Sequence, residues 1–511
     1  MTQEAISFVT SEIFKEGTDV PTSVSSTPQK LKNKHLVERF LRESDSTRSL
    51  LLWLENSNHS LSRFDKVSVL PFLIKAIEEI DRQLEQQINT IIHHASFQAL
   101  EASWRGILYI VNQQEMHDKD QKVKVKLLDC CWLTLSKDIN RAIEFDQSEF
   151  FKLIYNNEYD MSGGEPFGAL IGDYQMSHKN RPGVSTNDID VLKDISRTAA
   201  AAFAPFITSA SPSLFGADDF TDLSAHMNIG KIFEQHEYLK WNSLRKMDDA
   251  RFIGLTLPNI LMRSPYLIDG TRSEGFKFKE SIKNPNQDHL WGNAAYAFGG
   301  IIIRSFSDSG WFGHIRGLEP GARKKGLVCD LAVCQYETDL YRKRNKPSVD
   351  LLVSDRAEKA LSDQGFIPLS PVSGCEHLVF YSNASIQEPP KYELLEDNIN
   401  AKLSSMLQYI LCVSRFAHYI KVIGREKIGS LNSAEACQRD LQLWLHQYTT
   451  ASEVSSDDVR SQYPLRNAQV QVKEMRGKPG HFYSIIQLQP HFQLDQMVSS
   501  IKLVTELTSR N

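Results

Sequence analysis

Chemistry in a protein needs a few ionisable groups held in apolar surroundings, and this chain offers a short set of them. Arg105 lies in Glu-Ala-Ser-Trp-Arg-Gly, Asp173 in Gly-Ala-Leu-Ile-Gly-Asp-Tyr and Arg263 in Leu-Met-Arg-Ser-Pro-Tyr, while Arg316 precedes Glu319 closely. Asp173, Arg316 and Glu319 are the best candidates for a charged site. No nucleophile or base accompanies them, and buried ion pairs and caps account for such residues in large α/β proteins. Gly321 and Gly326 have the spacing of a Walker A loop, but Leu327 and Val328 follow in place of Lys and Ser or Thr. There is no G-x-G-x-x-G after a strand, no H-E-x-x-H and no G-x-S-x-G. His93 and His94 are adjacent, so on a helix they point about 100° apart and cannot share a metal as an i, i+4 pair can. Cys375 and His377 are one sulfur and one imidazole, too few for a zinc site. The expectation is no catalytic residue, no cofactor and no metal.

Composition narrows the class further. Lys plus Arg is 58 and Asp plus Glu is 63 in 511 residues, a net charge of −5, which does not suit non-specific nucleic-acid binding. The 7 cysteines are scattered, with no C-x-x-C pair, as expected of free thiols in a reducing cytosol. Glu4, Glu12 and Lys15 interrupt the first apolar residues, unlike a signal peptide. The closest thing to a membrane span, Tyr296 to Ile303, is short and runs into Arg304. A cytoplasmic protein with no membrane insertion is expected.

The elements that must position these residues follow from periodicity. Ile6, Val9, Ile13 and Phe14 share one face of a short helix ending at Gly17, and a Pro/Ser/Thr stretch from Pro21 to Pro28 tethers it. Leu73, Ile77, Ile80, Leu84, Ile88 and Ile91 predict a helix from about Pro71 to His93. Alternating Lys and Val over Lys122 to Lys126 predicts a strand leading into Leu127 and Leu128. Later segments alternate helical and strand patterns, so the fold class is α/β or mixed α+β with several domains. The charged stretch from Gly317 to Asp350 reads as strands and a loop. Beyond Pro389 and Pro390 come a helix carrying Leu403, Met406, Ile410, Val413, Ala417 and Ile420, then one with Leu441, Trp444 and Leu445. Val470 and Val472 alternate with Gln469, Gln471 and Lys473, and Gly-Lys-Pro-Gly at Gly477 to Gly480 turns the chain back through Phe482 to Gln489, a hairpin. Leu494, Met497, Val498, Ile501, Val504 and Leu507 predict a closing amphipathic helix. The expected division is 1–60 as helix and arm, 61–388 as the main region and 391–511 as a C-terminal region.

The glycine-containing segments also carry a family likeness. Phe97 to Val111 (Phe-Gln-Ala-Leu-Glu-Ala-Ser-Trp-Arg-Gly-Ile-Leu-Tyr-Ile-Val) resembles the signature of the TssC, or VipB, family of type VI secretion sheath proteins. Similar matches follow in order at Phe167–Tyr174, Ala204–Phe215, Arg251–Tyr266, Leu290–Phe298, Gly365–Leu369, Tyr409–Ile420, Tyr463–Arg466 and Pro490–Leu494. Two places depart from the pattern: Pro320, where relatives carry glycines, and Lys-Pro-Ser-Val-Asp at Lys346 to Asp350, where they tend to Cys-Pro-Thr-Glu.

The resemblance implies a structural large subunit with a phage-tail-sheath-like core and no catalytic activity. It implies a heterodimer with a small sheath subunit, polymerised on a baseplate as a helical sheath around an Hcp tube. Contraction ejects the tube, and a Clp-family AAA+ unfoldase recycles the sheath. By this reading Leu84, Ile88 and Trp104 meet the small subunit, and Val470, Val472 and Ile485 lie in a sheet shared between protomers. The helix of Ile6, Val9, Ile13 and Phe14 is the unfoldase signal. The alternatives are a phage-type sheath protein that assembles alone and a cytosolic α/β enzyme.

Overall fold

The computed structural model describes residues 38–56, 66–161, 163–180, 187–223, 228–268, 275–313, 315–317, 326–339, 342–372, 377–426, 434–450, 459, 462–474, 482–491 and 501–507. The expected N-terminal helix and its Pro/Ser/Thr tether lie outside these residues. The chain divides into two compact units, Met1–Leu84 and Glu85–Asn511.

In the first unit, α1 (Ser46–Asn56) and the early turns of α2 (Lys66–Ile92) meet through Trp53 and Phe72, whose ring centroids are 5.2 Å apart. The predicted helix is present but starts at Lys66, before Pro71. A proline reads as a start signal, yet here it sits inside the helix and removes one main-chain bond. α2 runs on past Leu84 into the second unit.

The second unit is built on a six-stranded sheet in the order β1-β2-β3-β9-β10-β6. β1 (Leu170–Met176), β2 (Phe206–Ala210), β3 (Ile253–Leu257) and β9 (Phe366–Pro371) run parallel. β10 (Leu378–Phe380) and β6 (Leu327–Val328) close the far side antiparallel. Every residue of β2 and β3 is buried, and the hydroxyls of Thr208, Ser209 and Thr256 donate to main-chain carbonyls of neighbouring strands. The α-helices of nine or more residues are, in chain order, α3 (Ala95–His117), α4 (Trp132–Arg141), α5 (Asp188–Ala202), α6 (Ala295–Ser309), α7 (Asp355–Asp363), α8 (Leu395–Ser404), α9 (Leu407–Glu426) and α10 (Ala434–His446). One core joins Phe206, Leu255 and Phe366 of the sheet to Ile195 of α5 and Leu361 of α7. A second joins Ile207, Ile367 and Phe380 to Phe298 of α6 and Leu411 of α9. The sheet is therefore covered on both faces.

Smaller pairings complete the region. β4 (Ile260–Leu261) pairs with β5 (Trp291–Gly292), and Ile260 also bridges Val349. β7 (Cys334–Asp339) and β8 (Arg342–Lys346) form a hairpin within the stretch expected to hold strands and a loop. Lys346 to Asp350, where the sequence departs from the family pattern, thus runs beside β4, with Ser348 O accepting from Leu261 N–H at 2.9 Å.

The predicted strand at Lys122 to Lys126 is not one: the segment lies outside every sheet. Its alternating pattern finds no edge among the described residues. Asp118 accepts the N–H groups of Lys122 (2.9 Å) and Val123 (2.7 Å), and Gln114 donates to Val123 O at 2.6 Å. Lys124 and Lys126 pair with Glu165 and Glu158.

The C-terminal region has its own core. The single helix expected after Pro390 is two helices, α8 and α9. They part at Ser405 and Met406, where Met406 bridges Ala384. β11 (Leu465–Glu474) and β12 (Phe482–Pro490) form the expected hairpin, whose turn lies outside the described residues. Val470, Val472, Ile486 and Leu488 pack on Phe416 and Ile420 of α9 and on Leu441 and Leu445 of α10. The closing helix is corrected: Ile501–Leu507 is a strand, β13, antiparallel to β12, and Leu494 to Val498 lie outside the described residues. Ile501, Val504 and Thr505 are β-branched, and over so short a window the apolar positions satisfy either period. The edge of β12 decides between them.

Candidate assembly surfaces

α3 has two faces of opposite kind. Ala102, Gly106, Ile110 and Gln113 form the buried face, directed at α6. Gly106 is required there, since a Cβ would run into the Tyr296 ring. Gly300 of α6 is less tight but still close, with a Cβ meeting Tyr109 Cε1 at 2.8 Å. Small residues let the two axes close, and Tyr109 then reaches across to donate to Cys329 O at 3.0 Å. On the other face, Phe97, Leu100, Trp104, Leu108 and Val111 recur every three or four residues and are all exposed, Trp104 by 61%. That is the spacing of a helix–helix seam without its second helix. Covering what remains exposed of each side chain adds a fraction of the about 1.5–3 kcal/mol that full burial is worth, and contiguous apolar stripes are common at interaction sites.

α2 repeats the pattern, with Ile74, Ile77, Ile80, Leu84 and Ile91 exposed and Ile88 half-buried. Of the residues expected to face the small subunit, Leu84 and Trp104 are thus accessible and Ile88 is partly so. Val470 and Val472 are buried in their own core, while Ile485 is half-buried on the opposite face from Ile486. What that sheet has to offer another chain is main chain rather than these valines. Ile6, Val9, Ile13 and Phe14 lie outside the described residues.

The charged candidates resolve into internal pairs. Arg263, 5% exposed in its side chain, bonds Glu280 through Nη1 at 2.6 Å and Glu101 through Nε at 3.0 Å. Arg105 Nε shares Glu101 at 2.7 Å, and His93 Nε2 lies 3.1 Å from Glu280 Oε1. Burial alone raises a carboxylate's pKa, but the bonds from Arg263 and from Tyr266 N–H outweigh it and hold Glu280 below its usual range. Asp173 is exposed and accepts from Ser103 Oγ. Arg316 sits with Nη1 3.8 Å from Met406 Sδ, and Glu319 lies outside the described residues. Among the described residues, the contacts of Asp173 and Arg316 do not join the two.

Sequence reasoning missed Asp350. Burial pushes its carboxyl up to about 7, although Asn259 Nδ2 donates to Oδ2 at 2.8 Å. Its only signal was its place in the departing Lys-Pro-Ser-Val-Asp run. Among the described residues there is no His/Cys/Asp/Glu cluster suited to a metal and no helix long and apolar enough to cross a membrane. Among the described cysteines, Cys329, Cys412 and Cys437 are buried.

A mixed sheet covered on both faces, an apolar helix face turned outward and a small C-terminal sheet characterise the described residues. Comparisons with known proteins give the family. The chain belongs to the VipB family of type VI secretion sheath proteins. The tail sheath N-terminal domain, described as EvpB/VC_A0108, matches residues 74–387, and the corresponding tail sheath gpW/gp25-like domain matches residues 396–507. A relative from Pseudomonas aeruginosa, "Type VI secretion system sheath protein TssC1", is 37% identical over 444 residues, 85% of this chain and 86% of its own length.

Proposed function

We propose that this chain is the large subunit of a heterodimer with a small sheath subunit, and that these heterodimers polymerise from a baseplate around an Hcp tube in the cytoplasm. Contraction of the polymer drives the tube outward. The role is mechanical: energy is held in the packing between subunits, as two arrangements of rigid bodies that differ in buried contacts. The observation that carries the reading is the outer face of α3, where Phe97, Leu100, Trp104, Leu108 and Val111 form an apolar seam on a helix already anchored on its other side. An amphipathic helix of the small subunit fits that seam.

Two substitution pairs test it in co-expression with the small subunit. Trp104→Asp with Leu108→Asp, and separately Leu84→Asp with Ile88→Asp, abolish co-purification while the large subunit keeps its thermal transition. Retained binding at normal stability rules out both faces as the contact. A large subunit that forms sheaths without help favours the phage-type alternative.

The N-terminal segment is the proposed unfoldase signal. A helix of that length is marginal alone, so Ile6, Val9, Ile13 and Phe14 need a groove to dock in, and the Pro/Ser/Thr tether gives them reach. Val9→Asp with Ile13→Asp leaves assembly and contraction intact and stops sheath turnover in cells. Unchanged turnover eliminates this segment as the signal.

A further inference from the structure

The C-terminal sheet has two edges, and the one along β11 is occupied by the chain's own atoms. At its start, Leu465 N–H donates to Tyr448 O at 3.2 Å, Thr450 N–H donates to Leu465 O at 3.0 Å, and Thr449 bridges Leu465 in parallel. Beyond the irregularity after Leu465, α10 continues the job with side chains. Gln442 Oε1 accepts Val470 N–H at 2.9 Å, and its Nε2 donates to Ala468 O at 2.7 Å. One carboxamide thus makes the two bonds that a residue of a parallel neighbouring strand makes around Gln469. One turn away, Gln438 Oε1 accepts Val472 N–H at 3.2 Å. His446 Nε2 lies 2.9 Å from Gln442 Nε2 and helps fix the amide's orientation. Cys437, Leu441 and Leu445, buried in the core under β11, hold α10 so that the glutamines fall along the strand.

An unpaired strand edge is a template for other chains, and proteins that do not want pairing there cover it. We propose that Gln438 and Gln442 close the β11 edge to extended segments of neighbouring protomers, so that strand addition is confined to the β13 edge. This gives the polymer one register and one direction of growth. The inference rests on the reading of the chain as a polymerising sheath subunit.

The test uses the full-length chain co-expressed with the small subunit, comparing wild type with Gln438→Met plus Gln442→Met. Methionine keeps length and packing and removes the bonds. Before assembly, the amides of Val470 and Val472 exchange about fivefold to tenfold faster in the variant, the worth of one hydrogen bond. Gln469 and Gln471, whose N–H groups face β12, are unchanged. Electron microscopy of wild-type sheaths then finds both glutamines on β11, and the variant gives irregular or laterally joined assemblies. Unchanged exchange overturns the inference. So does a neighbour's strand bonded to β11 in wild-type sheaths, or a variant whose sheaths match wild type. If wild type forms no polymer while exchange still accelerates, the edge closure stands and the sheath reading fails.

Discussion

The two faces of α3 differ in how they are completed. The face towards α6 is made of small residues, and its partner is in the same chain. The outer face is made of large apolar residues, and no part of α6 reaches it. Burial in the first case is settled when the chain folds. In the second the side chains stay exposed among the described residues, and the proposed small subunit would cover them. The same contrast separates the six-stranded sheet, covered on both faces, from the C-terminal sheet, where one edge is closed by glutamines. Under the proposed sheath role, this division keeps contacts within the body tight and leaves the outer α3 face for contacts between bodies.

Substitutions divide along the same line. The largest expected effect is on the outer face, where the Trp104→Asp, Leu108→Asp pair removes partner binding altogether and leaves the melting temperature nearly unchanged. Next comes the interior. Arg263→Ala leaves Glu280 buried without its cation and costs about 3–5 kcal/mol, whereas Arg105→Ala, at a half-exposed pair, costs about 1 kcal/mol or less. Chemical denaturation of both variants checks the ratio, and equal losses contradict the assigned burial.

Asp350 gives a signed pH effect. Burial raises its folded pKa to about 7, well above the usual carboxylate range, so its contribution to stability is fully present below about pH 4 and is lost as pH rises through 7. Between pH 5 and pH 8 the loss is about 2–3 kcal/mol. Asp350→Asn mimics the protonated form and flattens that part of the stability profile. A variant with the wild-type pH slope contradicts the burial of this carboxyl.

The smallest contrast is positional. Gln471→Pro removes a bond to β12 and weakens the hairpin, while Val472→Pro removes only the bond to Gln438, because Val472 N–H faces outward. Hairpin protection in hydrogen exchange falls more in the first variant. If Val472→Pro is the more damaging, the assigned edge is reversed.

Much of this was legible in the sequence, and the failures have physical causes. The α2 stripe and the β11 alternation announce themselves because one face of each is buried or waiting to be. Arg263 was legible as a buried ion pair, but its partners were not: Glu280 and His93 are distant in sequence and meet only through the fold. Ile501–Leu507 was misread because its apolar positions satisfy both periods, and the strand beside it arbitrates. Lys122–Lys126 was misread for the opposite reason: the pattern is that of a strand, but no edge among the described residues takes it. The role of Gln438 and Gln442 had no sequence signal, since an i, i+4 glutamine pair on a helix flank looks like solvated surface.

The central claim is that the outer face of α3 is completed by a second polypeptide. Electron cryomicroscopy of the co-expressed large and small subunits tests it most directly. The account predicts a helical sheath in which an amphipathic helix of the small subunit covers Phe97, Leu100, Trp104, Leu108 and Val111. A sheath in which these side chains stay in solvent, or are covered only by another part of this same chain, contradicts it.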